Sequence, residues 1–352
     1  MSTLKDVARK AGVSVPTVSR VINNYWYIRE ATKKKVLKAI EELSYHPNTV
    51  ARNLKRGKTN TIGFIVPDIS NSFFGEVTVG LEKVFRKNDY HLILCLTGRR
   101  DDLEIESLQL VVSQKVEGII INPVGTSGEL VKRIINYHRI PLVAIDNKVN
   151  NVKTDVVLHN NIEGTQKLTS HLAAHGYKRI AFIGGPLDET SGKKRLEGYK
   201  KALVKNGLPV LEDLIRIGDW TKDSGIRLTN ELLRMSERPT GIVAANAFMA
   251  LGVFQALRKE NLTIPKDVAL VSFDDFEFVA ALEPPLTALK SVSIEMGERA
   301  ARLLLKRINN TNKGDVQEIC LPMELMIRNS CGCEGFGNCI DRKPSLTKIN
   351  SF

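Results

Sequence analysis

From Thr61 onward, short runs of aliphatic and β-branched residues alternate with stretches of helical periodicity, and this alternation constrains the fold of the 352-residue chain more than any other feature. Residues 62–66, 92–96, 118–122 and 142–146 read as buried parallel strands, and a second series follows at 180–184, 214–218, 241–245 and 268–273. Strands that are apolar on both faces need cover on both faces, so the βαβ alternation implies parallel sheets with helices on either side. Two series of this length predict two similar doubly wound subdomains. Ligands in such folds bind beyond the carboxyl ends of the strands. The polar residues that end the runs therefore matter most: Asp68, Asp146, Asn246 and Asp274.

The first 45 residues follow a different rule and read as an all-α head of three short helices. Leu4, Val7, Ala8 and Ala11 make one apolar stripe, and Gly12 permits a turn. Ser14 suits a helix N-cap, and Pro16 falls in the first turn, where its missing N–H costs nothing. Val18, Val21 and Ile22 form the inner side of this second helix. A third helix is predicted from about Ala31 to Leu43, with Val36, Leu37, Ile40 and Leu43 inward, ending at His46-Pro47. The spacing of Ala8, Gly12 and Val18 is that of a helix-turn-helix. Residues 48–60 form a polar, basic linker that is too short to hold a helix alone in water.

Charge separates the two parts. Residues 1–60 hold thirteen Lys or Arg against four Asp or Glu, a net of +9 out of +12 for the whole chain. A basic head on a nearly neutral body is the footprint of a nucleic-acid module joined to a second function. No apolar run reaches the roughly 18 residues needed to cross a bilayer, and Met1-Ser2-Thr3 leads into a charged amphipathic segment, so a cytoplasmic protein is expected. Among five cysteines, Cys331, Cys333 and Cys339 crowd the end of the chain; their spacing fits zinc poorly, and a frayed, reducible tail is expected there. His171 and His175 share a helical face, but no acidic partner is placed near them, so packing is expected and no metal or cofactor. There is no P-loop, no Gly-x-Ser-x-Gly elbow and no His-Glu-x-x-His, and an enzyme is not expected.

Residues 4–23 (Leu-Lys-Asp-Val-Ala-Arg-Lys-Ala-Gly-Val-Ser-Val-Pro-Thr-Val-Ser-Arg-Val-Ile-Asn) and 42–54 (Glu-Leu-Ser-Tyr-His-Pro-Asn-Thr-Val-Ala-Arg-Asn-Leu) closely resemble the head of the LacI/GalR family of bacterial repressors. Residues 66–74 (Val-Pro-Asp-Ile-Ser-Asn-Ser-Phe-Phe), 218–220 (Gly-Asp-Trp), 273–275 (Phe-Asp-Asp) and 321–325 (Leu-Pro-Met-Glu-Leu) extend the resemblance in family order over residues 3–330. It implies a helix-turn-helix domain at 1–46, a hinge helix and linker at 47–60, and a periplasmic-binding-protein-like core at 61–330. The core would divide into an N-subdomain (about 61–160 and 292–320) and a C-subdomain (about 161–291 and 321–330), with 331–352 as a disordered tail.

The resemblance also assigns roles. The second helix is expected in the major groove, with Val15, Pro16 and Arg20 at base-reading positions. Ser14, Thr17, Ser19 and Asn23 suit phosphate contacts. Leu54 matches a minor-groove wedge, with Lys55 beside it, and Asn48, Val50 and Ala51 complete a hinge helix that folds on the operator. Two departures stand out: Arg29 replaces the Ser or Thr that usually caps the third helix, with Glu30 acting on the helix dipole instead, and Tyr25-Trp26-Tyr27 makes an unusually aromatic loop. In the core, Asp146, Arg195, Trp220, Asn246 and Asp274 match effector-contacting positions, with Ser72, Phe74 and Asn161 as further candidates. Such a set suits a sugar: carboxylates and amides for hydroxyls, an arginine fork, and an indole for the apolar face of a ring. Ala247 stands where many family members carry Asp. The function expected is an allosteric, homodimeric repressor that binds double-stranded operator DNA under the control of a small-molecule effector, a sugar or sugar derivative. Control by a partner protein, as in carbon catabolite regulation, and a cytoplasmic solute-binding protein are the alternatives.

Overall fold

The structure is a computed structural model that describes residues 2–22, 27–45, 58–125, 127–309 and 314–333. It divides into two compact units, Met1–Asn60 and Thr61–Phe352.

In the first unit, helices α1 (Leu4–Ala11), α2 (Val15–Ile22) and α3 (Glu30–Glu42) enclose Val7, Ala8, Val18, Val21, Val36, Ala39 and Tyr45. Helix α1 starts in a capping box: the Asp6 N–H donates to Thr3 Oγ1, and the Thr3 N–H donates to the Asp6 carboxylate. Helix α3 starts at Arg29 with no side-chain cap, and Glu30 is the acid in its first turn. Leu37 does not face inward as the stripe suggested; it is exposed, because 100° per residue turns it away from the Val36–Ala39 line.

The second unit holds two sheets, each of six strands among the described residues. In chain order its elements are β1 (Thr61–Val66), α4 (Ser72–Arg86), β2 (His91–Leu96), α5 (Asp101–Ser113), β3 (Gly118–Ile121), α6 (Gly128–Arg133), β4 (Leu142–Ile145) and β5 (Asp155–His159). Then come α7 (Asn161–Ala174), β6 (Ile180–Gly184), α8 (Thr190–Lys205), β7 (Ile215–Ile217), α9 (Lys222–Leu233), β8 (Gly241–Ala244), α10 (Ala247–Lys259), β9 (Ala269–Phe273), α11 (Glu277–Ala280) and β10 (Thr287–Lys290). Helix α12 (Ser293–Ile308) and strands β11 (Glu318–Leu321) and β12 (Glu324–Met326) follow. One sheet runs β11-β5-β4-β3-β1-β2 and is wholly parallel. The other runs β12-β10-β9-β8-β6-β7, with only β12 antiparallel. The chain therefore passes between the lobes after β5, again before α12, and a third time between β11 and β12.

All eight expected strands are present, and four more join them. β5 is not evident from the sequence because it opens on Asp155, an acid that is buried because Arg307 grips it with Nε and one terminal nitrogen, at 2.7 and 2.8 Å. Strands β10, β11 and β12 are only three or four residues long and complete the sheets through partners far along the chain. Cys331 and Cys333, expected in a frayed tail, are instead buried. Ser330 anchors them, donating to the Leu270 carbonyl and accepting from the Thr287 N–H. Among the described residues, no helix is long and apolar enough to cross a membrane.

Candidate ligand cleft and nucleic-acid interface

The carboxyl ends of the strands of both lobes converge on one cleft. Asp146 follows β4, Arg99 follows β2 and Asn122 follows β3, all from the first lobe; Glu189 and Ser191 follow β6, Trp220 follows β7, Asn246 follows β8 and Asp274 follows β9, with Arg195 one turn into α8. Asn71, Phe73 and Phe74, at the start of α4, complete the lining. Arg99, Asp146, Trp220 and Asp274 all hold left-handed backbone, with φ of 60°, 58°, 69° and 73°. Such conformations cost about 1–3 kcal/mol each in residues other than glycine and gather where a fold aims side chains at a ligand.

Arg195 is almost fully buried. Its Nε donates to Asn161 Oδ1 at 2.8 Å, one terminal nitrogen donates to the Ala245 carbonyl, and the other lies 3.8 Å from Asp146. Its guanidinium lies 3.6 Å over the Phe273 ring. The Trp220 indole donates to Glu189 at 2.9 Å, and one edge of it lies so close to Gly185 that a Cβ there would stand 2.1 Å from the ring. Asn246 caps α10 through the Met249 N–H and also donates to the Trp220 carbonyl, so its capping and cleft roles coexist. Across the cleft, Arg99 donates to Glu189 at 2.9 Å, and Asn147 donates to the same carboxylate and accepts from the Ser191 N–H.

The three carboxylates differ. Burial opposes ionisation of Asp146, yet His159 at 3.9 Å and the Arg195 and Arg99 guanidiniums hold its carboxyl below its usual range. Among the described residues its buried Oδ1 has no hydrogen-bond partner, nor does either ring nitrogen of His159. Burial raises Asp274 to about 6, against the pull of Arg195 and His159. Burial also raises Glu189, with Arg99 and the indole N–H opposing.

Of the eight residues expected at an effector, the cleft brings together Phe74, Asp146, Arg195, Trp220, Asn246 and Asp274. Ser72 is a half-buried residue in the first turn of α4 and does not line it. Asn161 lies behind Arg195 and orients it. Asp68, also singled out, closes its own turn by accepting from the Ser70 N–H and hydroxyl. Asn122 was missed although the expected strand 118–122 ends on it; Arg99, Glu189 and Ser191, which lie beyond their strands in the following loop or helix, were missed as well.

In the head, Pro16 and Arg20 are exposed one turn apart on α2, with Val15 and Ser19 half-buried beside them. Val18 and Val21 occupy the opposite, buried face. Ser14, at the amino end of α2, is exposed; Thr17 is half-buried, and their hydroxyls lie 2.9 Å apart. Asn23, Asn48, Val50, Ala51, Leu54 and Lys55 lie outside the described residues, as do Tyr25 and Trp26.

A helix-turn-helix head with a basic, polar outer face, followed by a two-lobed α/β unit with a polar cleft, defines a class of ligand-responsive DNA-binding regulators. Comparison with known proteins gives the family. Residues 3–48 match the bacterial regulatory proteins of the lacI family, and residues 59–329 match the periplasmic binding proteins and sugar-binding domain of the LacI family. The chain is 36% identical to the ribose operon repressor of Escherichia coli K12, covering 94% of this chain and 100% of that one. It is 33% identical to the HTH-type transcriptional repressor PurR of Vibrio parahaemolyticus, covering 94% and 98%. The lac repressor dimer bound to operator and the anti-inducer ONPF superposes with a TM-score of 0.83 at 27% identity, covering 94% and 99%. The chain belongs to the LacI family and is a DNA-binding transcriptional repressor, not an enzyme.

Proposed function

We propose that this repressor binds a near-palindromic operator as a homodimer, and that a neutral polyhydroxylated ring, a sugar or sugar derivative, held in the cleft sets its grip on DNA. The convergence of Asp146, Asp274, Arg195, Asn246 and Trp220 on one cleft carries this reading. Asp146 Oδ1 is a buried acceptor without a hydrogen bond among the described residues, which a ligand hydroxyl would satisfy. Both arginines already face carboxylates, Arg99 at Glu189 and Arg195 at Asp146, and three carboxylates outnumber two guanidiniums. That balance favours an uncharged ligand over a sugar phosphate. The similarity to a ribose operon repressor points the same way.

A ligand can shift operator affinity only by its differential affinity for the two lobe arrangements, about 1–3 kcal/mol in typical couplings. A thermal-shift screen of sugars and sugar phosphates tests the ligand class, since a ligand at 100 times its Kd stabilises by about 2.7 kcal/mol. A stabilising neutral sugar that also alters operator affinity is expected. If no sugar stabilises the protein, control by a partner protein takes its place. Titration against duplexes at several salt concentrations tests the other half: affinity should fall steeply with salt and exceed that for random DNA.

A further inference from the structure

Two groups of residues that the cleft does not use meet elsewhere in the second unit. His171 and His175 stand one turn apart on α7, with ring centroids 4.4 Å apart. The segment after β12 passes through a short turn, Asn329–Cys331, and buries Cys333 against them. Cys333 Sγ lies 3.1 Å from His175 Nε2 and 3.8 Å from His171 Nε2, and the three donor atoms lie within 4.8 Å of one another. A tetrahedral zinc with Zn–S of about 2.3 Å and Zn–N of about 2.0–2.1 Å holds sulfur and nitrogen about 3.5 Å apart, between the two observed separations.

The surroundings favour coordination. His175 Nδ1 lies 2.8 Å from the His171 carbonyl, which can only accept; Nδ1 therefore carries the proton and Nε2 turns its lone pair toward Cys333. The cysteine segment is held independently of the histidines, by Ser330 on the Leu270 carbonyl and by Thr287 Oγ1 donating to Cys331 Sγ. Both imidazoles are half-buried, which leaves an ion a way in. The spacing of Cys331, Cys333 and Cys339 argued against a metal because the cysteines alone lack a tetrahedral set; the fold supplies nitrogen donors from some 160 residues earlier in the chain.

We propose that, with Cys333 reduced, His171, His175 and Cys333 bind one thiophilic divalent ion of the zinc type, and that the ion fastens the C-terminal segment to α7. Two imidazoles and a thiolate are the donors such an ion selects over the oxygen ligands of magnesium or calcium. Binding releases the Cys333 thiol proton to solvent, while the imidazoles coordinate as neutral rings. The fourth position is filled by water or by Cys331, whose sulfur lies 3.4 Å from that of Cys333. Cys333 takes part in a disulfide in this structure, so disulfide and metal thiolate are alternative states of one sulfur.

The full-length chain, stripped of metal by chelation, is reduced with a phosphine. Phosphine, water and disulfide yield phosphine oxide and two thiols. The desalted protein is then titrated anaerobically with Zn²⁺ against a chromogenic chelator, and separately with Co²⁺. Expected are one ion per reduced chain, no comparable uptake by the oxidised chain, and a Co²⁺ spectrum with tetrahedral d–d bands and a thiolate-to-metal charge-transfer band. Cys333→Ser and His175→Asn should each weaken Zn²⁺ binding by more than the roughly 10–100-fold typical of losing an outer-shell partner. Cys320→Ser, at an exposed cysteine, should leave binding unchanged. Failure of the reduced chain to bind a stoichiometric ion, a Co²⁺ spectrum without the thiolate band, or undiminished affinity in both ligand variants overturns the proposal. The Co²⁺ spectrum of the unaltered chain decides the matter even where a variant fails to fold.

Discussion

Replacing Asp274 by Asn should stabilise the effector-free protein at neutral pH while weakening effector binding. Asp274 is 6% exposed at the end of β9, and no hydrogen bond from the described residues reaches its carboxylate. Its carboxyl is raised from 3.8 to about 6, chiefly by burial, with Arg195 and His159 compensating only in part. Each pKa unit corresponds to about 1.4 kcal/mol, so holding this carboxylate ionised costs the folded state about 3 kcal/mol. Below about pH 4 the group is protonated in both the folded and the unfolded chain, and the cost is absent. Between about pH 4 and 6 the folded chain retains a proton that the unfolded chain has lost, so wild-type stability falls as pH rises, and the full cost is reached above 6.

Asn removes the titration and keeps the shape, and it tolerates the left-handed backbone at φ 73° as readily as Asp does. Thermal unfolding of both proteins across pH 4–8 should show melting temperatures that nearly coincide at the acid end. At pH 7 the variant should melt several degrees higher, given about 2–4 °C per kcal/mol for large domains. Calorimetric titration with the effector should show weaker binding by the same variant. A difference in melting temperature that does not change with pH, or a variant less stable at pH 7, would refute the reasoning and make Asp274 a structural residue.

The same titration predicts that wild-type effector affinity drops about tenfold from pH 7 to pH 5, as the acceptor carboxylate is protonated; calorimetry at the two pH values checks it. Arg20→Ala should relax base preference at one position per half-site at a cost of about 1–3 kcal/mol, whereas equal weakening on all duplexes would make Arg20 a phosphate contact. Leu54→Ala should reduce operator bending, read by energy transfer between labelled DNA ends, and leave effector binding intact. Glu189→Gln weakens the Arg99 contact that joins the two lobes, so effector-free small-angle scattering should report a larger radius of gyration.

The two-lobed architecture was legible because eight of its strands sit in largely apolar runs that alternate with helical stretches, and because their order allows few topologies. The missing four strands carry their reason with them. β5 begins on an aspartate made buriable by Arg307 and the Gln317 N–H, and β11 takes its register from β5, 162 residues earlier. The cleft was half legible by one rule, that polar residues past strand ends face the ligand. The rule picked out Asp146, Asn246 and Asp274 but passed over Asn122, although the expected strand 118–122 ended on it. The family resemblance took in Asn161, whose amide oxygen serves Arg195 and whose position at a helix start says nothing of that.

What a linear pattern cannot carry is partnership at a distance, and two adjacent residues show it. Asp274 and Asp275 are chemically identical neighbours, and nothing in Phe-Asp-Asp separates them. Arg328 grips Asp275 with two nitrogens at 2.7 and 2.8 Å, so that carboxylate is spent on holding the end of the chain to the second lobe. The turn after β9 aims Asp274 the other way, into the cleft beside Arg195, where it stays costly until a ligand supplies donors. The same logic separates the three acids of the cleft. Asp146 is kept ionised by the positive groups around it, Glu189 is occupied by Arg99 and Trp220, and Asp274 is the one whose charge the protein alone leaves poorly compensated. On the proposed function, an effector that donated hydroxyls to Asp274 would relieve that cost. That relief would be available only while the lobes hold the carboxylate away from water, so such a ligand would favour an arrangement that keeps the cleft closed. This differential is the quantity that can be transmitted to operator binding.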